Sequence, residues 1–114
     1  MSDCIFCKII SGEIPSKKIY EDDMVYAFHD INKEAPVHFL VIPKEHIKSA
    51  NYITEENSKV IAHIFEVINK IANEMGIAKD GYRIVNNCGV LGGQTVDHLH
   101  FHILGGRELK WPPG

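Results

Sequence analysis

Residues 98–104 read His98-Leu99-His100-Phe101-His102-Ile103-Leu104, an imidazole at every second position with an apolar side chain between. A period of two is the side-chain repeat of a β-strand. The spacing predicts a strand over 98–104 with His98, His100 and His102 on one face and Leu99, Phe101 and Ile103 packed on the other. Same-face neighbours stand roughly 6.5–7 Å apart along such a strand, near enough to act on one phosphate group. A strand with one buried face also holds its side chains more rigidly than a loop does.

Imidazole suits phosphoryl chemistry because its ordinary pKa of about 6.5 lets neighbouring rings hold different protonation states near neutral pH. A neutral ring attacks phosphorus through one nitrogen, and a protonated neighbour stabilises charge or hands a proton to a departing amine. The covalent histidine–phosphorus intermediate then falls to water, with no metal required. Three strand histidines could instead share one zinc ion.

Outward from this strand, further strands are expected near Lys18-Ile19-Tyr20, over Met24–His29, over His38–Ile42 between Pro36 and Pro43, and around Gly81–Val85. Asp3 is placed to cap a short helix over Cys4–Ile10, with Gly12 just past its end. Ile61, Ile64, Ile68, Ile71 and Met75 step by three and four, the stripe of a long helix with Thr54 as N-cap, Glu55 and Glu56 in its first turn, and Gly76 at its end. Most strands follow one another without an intervening helix. The expected class is α+β: an antiparallel sheet of about five strands with one long and one short helix, the helices on one face.

At 114 residues there is room for one hydrophobic core, so residues 1–114 are expected to form a single domain. No apolar run reaches the roughly 18–20 residues that span a bilayer, and Met1-Ser2-Asp3 does not open a secretory leader. A net charge of −3 argues against a protein that neutralises many nucleic-acid phosphates. Three cysteines, Cys4, Cys7 and Cys88, are an odd count for a disulfide framework, and the expected location is the cytoplasm. Asn87–Thr95 carries three glycines, whose backbone can turn sharply and present N–H groups to an anion without Lys or Arg.

The 98–104 segment resembles the histidine triad (HIT) family motif, His-φ-His-φ-His-φ-φ with φ apolar, at every position. Gly105-Gly106-Arg107 and the ending Trp111-Pro112-Pro113-Gly114 look like the Hint (histidine triad nucleotide-binding) branch. The likeness runs from Ile5-Phe6 through Ala27-Phe28-His29-Asp30 and His38–Pro43 to the end. It implies a HIT-like fold and hydrolysis of purine nucleoside 5′-phosphoramidates. His100 would be the nucleophile, His102 would contact phosphate oxygens and assist the leaving group, and His38 would join the proton network. Asp30 would accept from the ribose hydroxyls; Asn87, Gln94 and Thr95 would meet the ribose–phosphate. Ile5, Phe6, Ile9, Phe28 and Ile31 would form the purine pocket.

The resemblance also implies a homodimer joined sheet edge to sheet edge, with the Trp111–Gly114 tail reaching the partner's site. Dinucleotide hydrolases, nucleotidyl transferases and non-enzymatic nucleotide-binding proteins are the alternatives. Cys4 and Cys7, three apart on a helix, with His46 and His98 make a sound tetrahedral zinc set, and related nucleotidylyl transferases carry the same arrangement. Zinc would be structural, and would reserve His98 for positioning rather than proton transfer. Cys88 has no expected partner.

Overall fold

A short helix, α1 (Ile5–Ser11), is followed by three strands, β1 (Lys18–Glu21), β2 (Val25–His29) and β3 (Val37–Pro43). After a single 3₁₀ turn at Ala50–Tyr52 come the long helix α2 (Ser58–Glu74) and strands β4 (Tyr82–Val85) and β5 (Phe101–Gly105). The structure is a computed structural model that describes residues 3–114. Met1 and Ser2, part of the stretch read for a secretory leader, lie outside the described residues. The five strands form one antiparallel sheet in the order β1-β2-β3-β5-β4, the expected α+β architecture. Among the described residues no helix is long and apolar enough to cross a membrane.

The core lies in two layers, one on each face of the sheet. On one face Val25, Ala27, Phe39, Val41, Phe101 and Ile103 meet Ile64, Val67, Ile68 and Ile71 of α2. On the other, Tyr26, Phe28, Leu40 and Ile42 meet Phe6 and Ile9 of α1. The helices therefore lie on opposite faces, not one. Burial on both sides in β2 and β3 explains why their sequences read as apolar runs rather than alternating ones. Each fully buried Ile or Phe removes enough surface from water to contribute about 1.5–3 kcal/mol.

Both helix starts differ from expectation. Cys4, not Asp3, caps α1: its Sγ accepts from the Cys7 N–H at 3.3 Å. Gly12 ends the helix as expected, with φ 89° and its N–H on Ile9 O. Helix α2 begins after Asn57 rather than Thr54. Asn57 Oδ1 accepts the Thr54 N–H at 2.7 Å, closing a separate turn that takes Glu55 and Glu56 out of the helix.

Strand β5 begins at Phe101, so His98, Leu99 and His100 precede it. The cause is Pro43. The β3–β5 ladder runs from Val37↔Gly105 to Val41↔Phe101, and the next rung would need an N–H that proline lacks. Leu99 N–H goes instead to Ile47 O at 2.6 Å, and Pro43 O is taken by the His98 ring at 2.8 Å. The predicted facing survives the lost strand geometry: Leu99 stays in the α2-side core, and His98 and His100 both stand against Phe6 of α1.

Candidate active site

His98, His100, His102 and His38 are brought together on the α1 side of the sheet, and each is held by a backbone group or a neighbouring ring. A carbonyl can only accept and an amide N–H can only donate, so these partners decide where each ring carries its proton.

The middle ring is clearest. His100 Nδ1 lies 2.7 Å from His98 O, so Nδ1 carries the proton and donates. Nε2 is left with its lone pair and has no hydrogen bond among the described residues. No buried side-chain nitrogen or oxygen among them lacks a partner, so Nε2 reaches solvent although the residue is 4% exposed. Burial pushes the His100 pKa down, against its hydrogen bond to His98 O, and keeps the ring neutral. Phe6 stands edge-on to the ring at 5.1 Å. Asn86, which the sequence reading did not name, donates Nδ2–H to His100 O at 2.9 Å and ties the strand start to the end of β4.

A chain of donors leads to the third ring. Glu34 N–H donates to His38 Nδ1 at 3.1 Å, so His38 carries its proton on Nε2. That Nε2–H faces His102 Nδ1 at 3.0 Å and Asp30 Oδ2 at 3.3 Å. His102, accepting on Nδ1, carries its own proton on Nε2, away from His38. Burial, with the neighbouring His100 and His38 adding to it, pushes the His102 pKa down to about 4. The His100 and His102 ring centres are 5.1 Å apart, so a bare nitrogen and an N–H donor are presented side by side.

The first ring has the opposite arrangement. His98 Nε2–H donates to Pro43 O, leaving the Nδ1 lone pair 3.3 Å from Cys4 Sγ, 3.6 Å from Cys7 Sγ and 3.2 Å from His46 Nδ1. His46 Nδ1 is 3.4 Å from Cys7 Sγ. Two sulfurs and two imidazoles around a tetrahedral zinc would be about 3.3–3.8 Å apart, so the donor set fits and these four residues could hold a metal ion. Asp30, His38 and His102 also converge, but the proton on His38 Nε2 occupies the lone pair a metal would need.

Of the expected substrate residues, Ile5 and Thr95 line a cleft of about 790 Å³ with Val96, Asp3, Asp97, Cys4, Cys7 and His46. Phe6, Ile9 and Phe28 belong to the smaller core, and Ile31 lies on the β2–β3 turn, 86% exposed. Asp30 Oδ1 accepts from the Asn32 N–H at 2.8 Å while Oδ2 faces the histidines. Gln94 turns inward: Oε1 accepts from Gly89 N–H, and Nε2–H donates to Lys48 O and Val96 O, locking the glycine loop. Asn87 is half-buried just after β4.

Residues 11–109 match the family model described as HIT domain. An uncharacterised HIT-like protein of Synechococcus elongatus is 50% identical over 112 residues, covering 98% of this chain and 97% of that protein. The crystal structure of a HIT family hydrolase from Legionella pneumophila superposes with a TM-score of 0.95 at 46% identity, covering 97% of this chain and 99% of that one. A histidine triad protein from Clostridium difficile superposes at 0.93 with 55% identity, covering 96% of each chain.

Proposed function

The chain belongs to the HIT family, and from that premise we propose that it hydrolyses purine nucleoside 5′-phosphoramidates, with His100 Nε2 as the nucleophile. The observation that carries this reading is the His100 Nδ1–H bond to His98 O, which leaves Nε2 bare, solvent-reaching and beside an N–H donor.

With substrate bound, the negative phosphoryl group favours a second proton on His102; it sits on Nδ1, 3.9 Å from Asp30 Oδ2, and the His38 Nε2–H turns from that nitrogen to Asp30 Oδ2, 3.3 Å away. His100 Nε2 attacks the α-phosphorus; the new N–P bond forms as the bond to the leaving amine breaks. His102 Nε2–H gives its proton to that amine and returns to neutral. Positive charge developing on the His100 ring is stabilised through Nδ1–H by the His98 carbonyl. Water then attacks phosphorus, its proton passes to the Nε2 lone pair of His102, and His100 Nε2 leaves with its electron pair.

Asp30 has carboxylate lone pairs to spare for ribose hydroxyls. Ile5, Phe6, Ile9, Phe28 and Ile31 serve the purine, and Asn87 and Thr95 the ribose–phosphate, with Gln94 acting there through the glycine loop that its side chain holds. Cys4, Cys7, His46 and His98 hold a structural zinc ion, which when bound ties α1 to the segment carrying His100. Cysteines outside any disulfide suit the cytoplasm. The outer edge of β4, unpaired in the sheet order, suits a homodimer joined through that edge, checked by sizing chromatography.

The test is a quenched reaction with adenosine 5′-phosphoramidate, analysed by mass spectrometry. A nucleotidyl adduct on His100, and a fall in turnover of about 10³-fold or more in His100→Ala with AMP binding retained, are the expected results. Unchanged turnover in His100→Ala overturns the reading and leaves a nucleotide-binding protein.

A further inference from the structure

The donor chain to His102 begins on a peptide in the β2–β3 turn, and nothing in the sheet holds that peptide. Residues 34–36 have no strand or helix assignment, yet the Glu34 N–H is what keeps the His38 proton on Nε2. The support comes from beyond β5. Gly106 turns the chain with φ 92° and lies so close to Pro36 that a Cβ there would meet the proline side chain at 3.0 Å. Arg107, the next residue, reaches back along the same turn. Its Nε–H and Nη2–H both donate to Glu34 O, at 3.1 and 2.9 Å, and its Nη1–H donates to Glu108 O at 3.1 Å.

Two donors from one planar guanidinium on a single carbonyl fix both the position and the direction of that group. Glu34 is thus gripped at its carbonyl while its N–H points at the ring. We infer that Arg107 is a positioning residue for the hydrolysis: by holding Glu34 it sets the tautomer of His38 and, through it, the outward N–H of His102. The inference rests on the reading of His102 as proton donor to the leaving group. Without the grip the turn moves, Nδ1 of His38 loses its donor, and the proton can settle there. His38 Nε2 and His102 Nδ1 would then meet lone pair to lone pair. His102 relieves that clash by moving its resting proton inward onto Nδ1, so that Nε2 meets substrate as a lone pair and must first take a proton there before it can serve the leaving amine.

The test uses the full chain labelled with ¹⁵N histidine. In the wild type, the ring-nitrogen shifts should show His38 protonated on Nε2 alone. In Arg107→Ala, the two His38 nitrogens should move toward averaged shifts, and kcat should fall about tenfold with KM within about twofold. Arg107→Lys keeps the charge but not the paired donors, and should recover less than half of the lost kcat. It also serves if Arg107→Ala does not fold. Wild-type nitrogen shifts in either variant, or averaged shifts with kcat unchanged, overturn the inference. The shifts need no turnover, so they judge the Arg107 grip even if His100→Ala shows the phosphoramidase reading to be wrong.

Discussion

Two groups of imidazoles share one face of the sheet with His100 between them, and they are wired in opposite senses. At His98 the far ring nitrogen meets a carbonyl, Pro43 O, so the near nitrogen turns a lone pair toward two thiols and His46. At His38 the far nitrogen meets an amide, Glu34 N–H, so the near nitrogen turns a proton toward His102 and Asp30. The residue type and the short distances are the same; the sign of the backbone partner differs. One group is suited to a cation, the other to passing protons. On the proposed reading His100 works with the second, yet it hangs from the carbonyl of His98, a member of the first.

That division breaks most visibly at His102. His102→Ala removes the proposed proton donor, and kcat should fall about 10²–10⁴-fold, while tag-free protein keeps the metal content of the wild type. Loss of metal in this variant would show the two groups to be one structure. Cys4→Ala is the converse. Elemental analysis should show the metal gone, and Tm should fall by roughly 10 °C, about 2–3 kcal/mol for a chain of this size. The fall in kcat should stay below about tenfold, because Nδ1–H of His100 still has its carbonyl. A kcat loss as deep as that of His102→Ala would mean that the metal group does more than hold the chain.

Which of these roles the sequence discloses depends on how local the cause is. Strand alternation put His98, His100 and His102 on one face, and the facing holds because Leu99, Phe101 and Ile103 are drawn into the α2-side core. The early end of the ladder is legible in principle, since Pro43 brackets the third strand, but its partner across the sheet depends on register. Helix α2 was readable from its stripe, whereas its start was not: Thr54 and Asn57 are both good caps, and the separate turn between them decides. The two helices were expected on one face because periodicity reports that a stripe is buried, not against which side of a sheet. Arg107 stood in a recognisable Gly-Gly-Arg run, but its partner is a backbone carbonyl 73 positions away, which no side-chain pattern records. Asn86 was missed for the same reason; its acceptor is the carbonyl of His100.

His63, on α2, sharpens the comparison from outside it, with the smallest effect. Its Nε2 lies 2.6 Å from Asp22 Oδ2 and its Nδ1 3.2 Å from Glu66 Oε1, so both nitrogens face acceptors and both can carry protons. The hydrogen bond to Asp22, then that to Glu66, raises its pKa. A folded pKa above the unfolded value of about 6.5 stabilises fully below pH 6.5, and that stability is lost as pH rises through the folded value. Burial has lowered His29, His98, His100 and His102, which gives the reverse sign: they favour folding above pH 6.5 and oppose it as pH falls toward their folded values. Wild-type Tm should therefore pass a maximum near pH 6.5, with His63 responsible for part of the alkaline limb. His63 and Asp22 are 28% and 27% exposed, so that share is at most about 1 kcal/mol. In His63→Gln the alkaline limb should flatten by a few degrees while the limb between pH 6.5 and about 4, kcat and metal content stay as they were. Below about pH 4 the Asp22 carboxyl, held low against burial by hydrogen bonds of which that from His63 comes first, gives up part of its own contribution. If the limb between pH 6.5 and about 4 flattened instead, that limb would belong to His63 and not to the buried rings, and the neutral state on which the proposed nucleophile and proton donor both depend would be wrong.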